Sequence, residues 1–293
     1  MDSSINTLTS ASLRIDISSV GAELQSIKDV SGQEYLWQAD SSFWARRAPI
    51  LFPIVGALKG GRYFYQGKEY SMSQHGFARD KMFEVYSCSE NHVTYRLVED
   101  ESTLENYPFR FVLEVTYRLV ERCLDVEYRV SNPSDQSLWF SIGGHPAFSL
   151  NWSSDDHISD YYLEFSNAET VSAALIENKL LGQPSLSVIR EGRYLDLSDE
   201  LFDRDALIFT EHNSRKITLK CKNSAQSLSL SFDDFPHLGI WSKPKAPFVC
   251  IEPWQGHLDT IDHNNELTEK VGMICLSRNQ SYQASYSIEI NPA

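Results

Sequence analysis

The stretch FRFVLEVTYRLVERCLDVEYRV, residues 109–130, decides the fold class. Phe109, Phe111, Leu113, Val115, Tyr117 and Leu119 alternate with Arg110, Glu114, Thr116 and Arg118. Leu124, Val126, Tyr128 and Val130 then alternate with Asp125, Glu127 and Arg129. Successive side chains of a strand point to opposite faces, so this period of two predicts two half-buried strands. Glu121-Arg122 between them reads as the turn of an antiparallel hairpin.

The same period recurs on both sides. Leu13, Ile15 and Ile17 alternate near the start, and Tyr286, Ile288 and Ile290 near the end. Ile217, Leu219 and Cys221 are followed, after a turn at Asn223-Ser224-Ala225, by Leu228, Leu230 and Phe232. No long segment keeps a 3.6-residue period; the best helical candidates are short, Ser41 to Arg47 and Ser198 to Phe202. Many strands joined by turns predict an all-β protein built as a large antiparallel β-sandwich. With no Pro/Ser-rich linker and no fixed-period repeat, residues 1–293 read as one domain.

Composition narrows the partners. The chain has 293 residues, is 42% apolar and carries a formal net charge of −14, which disfavours nucleic acid and anionic membranes but leaves room for a local basic pocket. No apolar run approaches the ~20 residues of a membrane helix. Met1 to Ser10 lacks the basic and apolar regions of a signal peptide. The five cysteines, Cys88, Cys123, Cys221, Cys250 and Cys275, are odd in number and scattered. They read as reduced thiols, mostly small core residues, of a cytoplasmic protein.

Three segments interrupt the strands and concentrate functional groups: Gln74-His75-Gly76-Phe77-Ala78-Arg79, Gly143-Gly144-His145-Pro146-Ala147-Phe148 and Cys250-Ile251-Glu252-Pro253-Trp254-Gln255-Gly256. Glycine lets backbone approach a ligand closely, and proline fixes a local turn. Trp254 and Phe148 offer flat apolar surfaces suited to the C–H face of a sugar ring. A lone histidine such as His75 is more often structural than catalytic. His145, between glycines and a proline, is poor core filler. Glu252 ends the apolar run Phe248–Ile251, where a carboxylate is costly unless paired or functional. His92, His157, His212, His237, His257 and His263 have no such context and read as ordinary residues. No HxH, HExxH, CxxC, GxGxxG or P-loop is present, so neither a metal nor a nucleotide cofactor is expected. Lys59-Gly60-Gly61-Arg62 reads as a strand-joining turn.

Taken in order, these segments resemble the aldose 1-epimerases of the galactose mutarotase-like superfamily, and among them the LacX-type, galactose mutarotase-related branch. The likeness begins at Val20-Gly21-Ala22-Glu23-Leu24 and Glu34-Tyr35-Leu36-Trp37. It runs through Pro49–Gly56 and the three segments to Lys270-Val271-Gly272. The resemblance implies a β-supersandwich that interconverts the α and β anomers of a free hexose without a cofactor. It makes His145 the general acid, Glu252 the general base, and His75 an aid to binding and charge stabilisation. Asp205 would hold sugar hydroxyls, with Asp203 on the same strand face as a competitor. The family's arginine after the Val-Gly pair is replaced by Ala57, leaving Lys59, Arg62 or Arg79 to supply the cation. His145 and Glu252 are then expected on opposite sides of one hexose-sized hollow.

Three other readings compete. Arg46, Arg47, Lys59, Arg62 and Arg79 would suit a hexose-6-phosphate 1-epimerase. A non-catalytic sugar-binding protein of the same fold would have no need of both His145 and Glu252. A hydrolase or lyase would need a second carboxylate across the bond. The expected partner is a small sugar or sugar phosphate, and the assembly a monomer or homodimer.

Overall fold

The computed structural model describes residues 4–292, and the reading of the first three residues of the N-terminus lies outside them. The hairpin predicted from residues 109–130 is present as strands Val112–Val120 and Cys123–Ser131, paired throughout from Val112↔Ser131 to Val120↔Cys123. Glu121 takes φ 53° in the turn between them. This sign of φ is what a two-residue hairpin loop demands. Phe109 and Phe111 precede the strand; both are buried and pack on Tyr107 instead of extending the ladder.

The hairpin sits within a nine-stranded antiparallel sheet, flanked by Ser281–Asn291 on one side and His92–Val98 on the other. A second, eight-stranded sheet includes Leu207–Phe209, His237–Trp241, Phe248–Gln255, Ile142–Gly144 and Ile50–Leu51. Leu113, Val115, Tyr117, Val126, Tyr128 and Ile288 from the first sheet share one apolar cluster with Leu238, Ile240, Val249 and Ile251 from the second. That shared interior makes the all-β sandwich expected from the alternation. A three-stranded sheet, Ile5–Thr9, Leu13–Ser18 and Leu24–Asp29, contributes Leu8, Ile15, Ile17 and Ile27 to the same core.

The helical expectations are corrected. Residues 41–47 form turns, not a helix: the Asp40 carboxylate accepts from Ser42, and the Asp40 carbonyl accepts the N–H groups of Phe43 and Trp44. Residues 198–202 are also a turn. The α-helix among the described residues is Glu101–Asn106, capped by Asp100 and Thr103 in a reciprocal capping box. No helix of the described residues is long and apolar enough to cross a membrane. All five cysteines are free; Cys221 and Cys250 are buried, while Cys88 and Cys275 are exposed, so core filling describes fewer of them than expected.

Candidate active site

The strand Phe248–Gln255 is buried on both faces until its last residue. Val249 and Ile251 face the sandwich core, whereas Cys250 belongs to a separate aromatic cluster and Glu252 and Trp254 line an open cleft of about 350 Å³. The ladder pairs Gly143 with Trp254 and Ala147 with Cys250, and Pro146 accepts the Ile251 N–H. This register seats His145 directly opposite Glu252. Their side chains meet with Nε2 and Oε2 3.2 Å apart. They lie side by side on one wall, which corrects the expectation of opposite sides. The physical reason is cross-strand pairing, which holds directly opposed side chains together.

Glycine makes room for the floor. A Cβ on Gly143 or Gly239 would come within 2.8 Å of the Trp254 ring, so the indole lies across the two neighbouring strands only because both lack side chains. Gly239 is also the register partner of Glu252 on its other side.

His75 arrives from the loop before the turn at Ala78–Asp80. It takes φ 67°, its backbone N–H donates to Gly56, and its Nδ1 accepts the Gly56 N–H at 3.1 Å. That bond leaves the proton of the neutral ring on Nε2, and the Gln74 side-chain amide 3.2 Å away can accept it only with its oxygen turned toward the ring. The His75 ring meets His145 edge-on at 5.6 Å. Arg79 donates to the Gln74 carbonyl at 2.7 Å, and Arg46 pairs with Asp80 at 2.7 Å. Both guanidinium groups line the cleft, as do Lys243 and Asp205.

Burial governs the electrostatics of the site. Burial drives the Glu252 carboxyl well above the usual carboxylate range, opposed by the Trp254 indole and reinforced by Asp205. Burial pushes His145 down to about 3, partly offset by a backbone hydrogen bond, with Arg79 and Arg46 lowering it further. Burial, then His145 and the nearby cations, likewise hold His75 well below the usual imidazole range. Both shifts favour the neutral forms of the His145–Glu252 pair. Glu252 Oε2, His145 Nδ1 and Trp254 Nε1 are buried without a partner at good hydrogen-bond geometry, so the indole's approach to Glu252 and the His145 ring's to its own backbone are weak contacts. Orphaned polar atoms of this kind are costly and call for an occupant.

The structure brings His145, Glu252, His75, Arg79, Asp205 and Trp254 to one cleft. Two other expectations are corrected. Phe148 is fully buried, pairs with Val249 and packs in the core, so it offers no face to a ligand. Lys59 turns away: its Nζ donates to the His263 carbonyl and its backbone N–H to Asp259. Asp205 lies in a turn with φ 75°, not on a strand, and Asp203 does not line the cleft.

Sequence reasoning missed an aromatic wall. Trp44 stacks on His145 at 4.9 Å and 26°, and Trp241 meets the same imidazole edge-on at 5.8 Å. The Trp37 indole N–H ties the Trp44 carbonyl at 2.9 Å. Trp241 was legible in principle, because it shares the face of Gly239 on a strand that pairs with the Glu252 strand. Trp44 carried no signal, since a turn without periodicity gives its side chains no predictable direction.

Known proteins resemble this chain over nearly its whole length. The family model described as aldose 1-epimerase matches residues 4–274. The plasmid-encoded LacX protein of Lactococcus lactis subsp. lactis is 35% identical over 288 residues, covering 95% of this chain and 96% of that protein. The crystal structure of a galactose mutarotase related enzyme from Lactobacillus acidophilus superposes with a TM-score of 0.94 at 35% identity, covering 98% of this chain and 97% of that one. A galactose mutarotase-like protein from Lactobacillus casei gives a TM-score of 0.92 at 33% identity, covering 98% of this chain and 100% of that one. The cleft is thus carried on a galactose mutarotase-like sandwich, and the chain belongs to the aldose 1-epimerase family.

Proposed function

We propose that residues 1–293 act as one domain and as an aldose 1-epimerase, interconverting the anomers of a free hexose by general acid–base catalysis. The observation that carries this reading is the 3.2 Å contact between His145 Nε2 and Glu252 Oε2 on the cleft wall. Mutarotation moves two protons, one off the C1 hydroxyl and one onto the ring oxygen. Both oxygens are bonded to C1, so an acid and a base standing side by side match the task.

With the sugar bound, the Glu252 proton first passes to His145 Nε2 across their 3.2 Å contact, and Glu252 then takes the C1 hydroxyl proton as His145 donates from Nε2 to the ring oxygen. The bond from C1 to the ring oxygen breaks and the C1 carbonyl forms. Each transfer is worth about 10²–10⁴-fold. Ring opening converts a charged imidazolium–carboxylate pair into a neutral one, the form that burial already favours at this site. Rotation about C1–C2 presents the other aldehyde face, and closure runs the transfers backwards. His75, held neutral with its proton on Nε2, donates to oxygen as charge develops. Arg79 and Asp205 hold hydroxyls, and Trp254 underlies the ring.

A second reading is favoured by Arg46, Arg79 and Lys243, which converge on the cleft of a chain whose net charge is −14. In that reading the substrate is a hexose 6-phosphate. Saturation-transfer NMR across free aldoses and their phosphates tests both: exchange with galactose or glucose supports the first, exchange confined to phosphates the second. Binding without exchange in either set would make the protein a sugar binder. The same reading puts the protein, with its five free thiols, in a reducing cytoplasm. The protein would act alone or as a homodimer, without nucleic acid or membrane.

A further inference from the structure

Cys250 is a buried thiol beside the acid–base pair that the proposed chemistry leaves unused. Two residues before Glu252, it shares the face of Glu252 and Trp254, behind the aromatic wall of Trp44 and Trp241. One ligand atom each from Cys250, His145 and Glu252 lies within 4.8 Å of the other two. Among these three, His145 and Glu252 are already at 3.2 Å. Glu252 is 1% exposed and its Oε2 has no hydrogen-bond partner. The trio therefore sets a packed thiol against a pair whose polar atoms are not fully satisfied.

We propose that Cys250, His145 and Glu252 form a site for a thiophilic divalent cation of the Zn²⁺ class, whose binding silences the acid–base pair. A thiolate, an imidazole and a carboxylate suit zinc and its neighbours, and disfavour magnesium or calcium. Zinc bonds to such atoms are about 2.0–2.3 Å long, so the widest separation must close by roughly 1 Å, within reach of side-chain rotation. A cation held by His145 and Glu252 occupies the two groups the sugar needs, and so competes with it. The cation site goes beyond the epimerase reading; only its inhibitory consequence rests on that reading.

The probe is Co²⁺ added to the full chain without sugar, with Mg²⁺ as control. One Co²⁺ per chain is expected, with a thiolate-to-cobalt charge-transfer band that Zn²⁺ abolishes by displacement and Mg²⁺ does not. Cys250→Ala should lose the band while Cys88→Ser/Cys275→Ser, which removes the exposed thiols, should keep it. Glu252→Gln retains the thiol and should bind Co²⁺ at least tenfold more weakly, so the inference stays testable if Cys250→Ala fails to fold. In the anomerisation assay, Zn²⁺ should inhibit the natural protein, and at least tenfold more Zn²⁺ should be needed to halve the metal-free rate of Cys250→Ala. No band in the natural protein, or the same band in Cys250→Ala, overturns the site. A band in a protein that exchanges no sugar leaves the site standing and removes the epimerase.

Discussion

Two buried acid–base clusters lie close together in this molecule, and they are built on opposite terms. In the first, Lys270 donates to Asp259 at 3.0 Å and also to the His257 carbonyl, while Asp259 accepts the Lys59 N–H at 2.9 Å and meets His263 at 3.3 Å. In the second, His145 and Glu252 touch at 3.2 Å, yet each keeps a buried polar atom without a partner. Neither cluster is exposed to more than a small degree. The difference lies in the pair itself: Lys270 and Asp259 keep no buried atom without a partner, although the Nε2 of neighbouring His263 has none. A charge pair whose bonding capacity is met by the backbone fastens one segment to another, here residues 257–270 to residues 57–59. A pair left partly unmet holds capacity in reserve for a ligand.

Replacing one member of each cluster separates these roles most sharply. Glu252→Gln should lower turnover by about 10²–10⁴-fold, while sugar binding persists and thermal stability holds or rises, because a costly orphaned acid is gone. Exchange NMR beside calorimetry checks this; near-native turnover would remove Glu252 as the base, and His145→Asn should be nearly as inactive. Lys270→Met should do the reverse. Stranding the Asp259 charge costs about 3–5 kcal/mol of stability by denaturant unfolding. Unchanged stability there would erase the contrast between the clusters.

The pH dependence of stability gives a third measure. His145 titrates near 3 when folded against an ordinary 6.5, so the unfolded chain takes up a proton that the folded one refuses between those values. Stability contributed by the neutral imidazole is present above about 6.5 and is lost as pH falls toward about 3, at about 1.4 kcal/mol per pH unit. Glu252, whose pKa is raised, works in the opposite sense and weakens the fold as pH rises above its unfolded value. His145→Asn should therefore flatten the acid limb by one proton, read from unfolding midpoints across pH. An unaltered limb would mean that His145 is charged in the folded protein.

Smaller effects are expected around the pair. His75→Asn removes the Nε2 donor and should cost about 10–10²-fold, divided between turnover and apparent affinity. Trp44 touches His145 without reaching the reacting atoms, so it positions the imidazole. Stacking of a cation on an indole is worth about 0.5–2 kcal/mol. Trp44→Leu should lower kcat severalfold and shift the acid limb of its pH profile, and Trp44→Phe should restore most of both. A loss confined to stability would show that the ring merely fills space.

Long strands announced themselves because one face meets the core and the other meets water, as from Val112 to Ser131. That contrast vanishes at Phe248–Gln255, where both faces are buried and alternation no longer separates core from cleft. Chemistry marked His145, Glu252 and His75 as odd residues in glycine- and proline-rich breaks, and the family likeness supplied their roles. Phe148 was misplaced because a one-residue change of facing, invisible without a partner strand, sends a side chain to the other side of the sheet, and Lys59 because the 3₁₀ turn Lys59–Gly61 gives its side chain no periodic direction. By itself, then, the amino-acid order determined the all-β class, the long hairpins and the identity of the acid and base candidates. Those follow from local alternation and from residue chemistry. Only the tertiary structure decided that His145 and Glu252 stand side by side, that Trp44 and Trp241 wall them in, and which cations reach the cleft. Such relations depend on register between strands about a hundred residues apart in sequence, and pairing at that range is settled when the sheets close, not by any local preference.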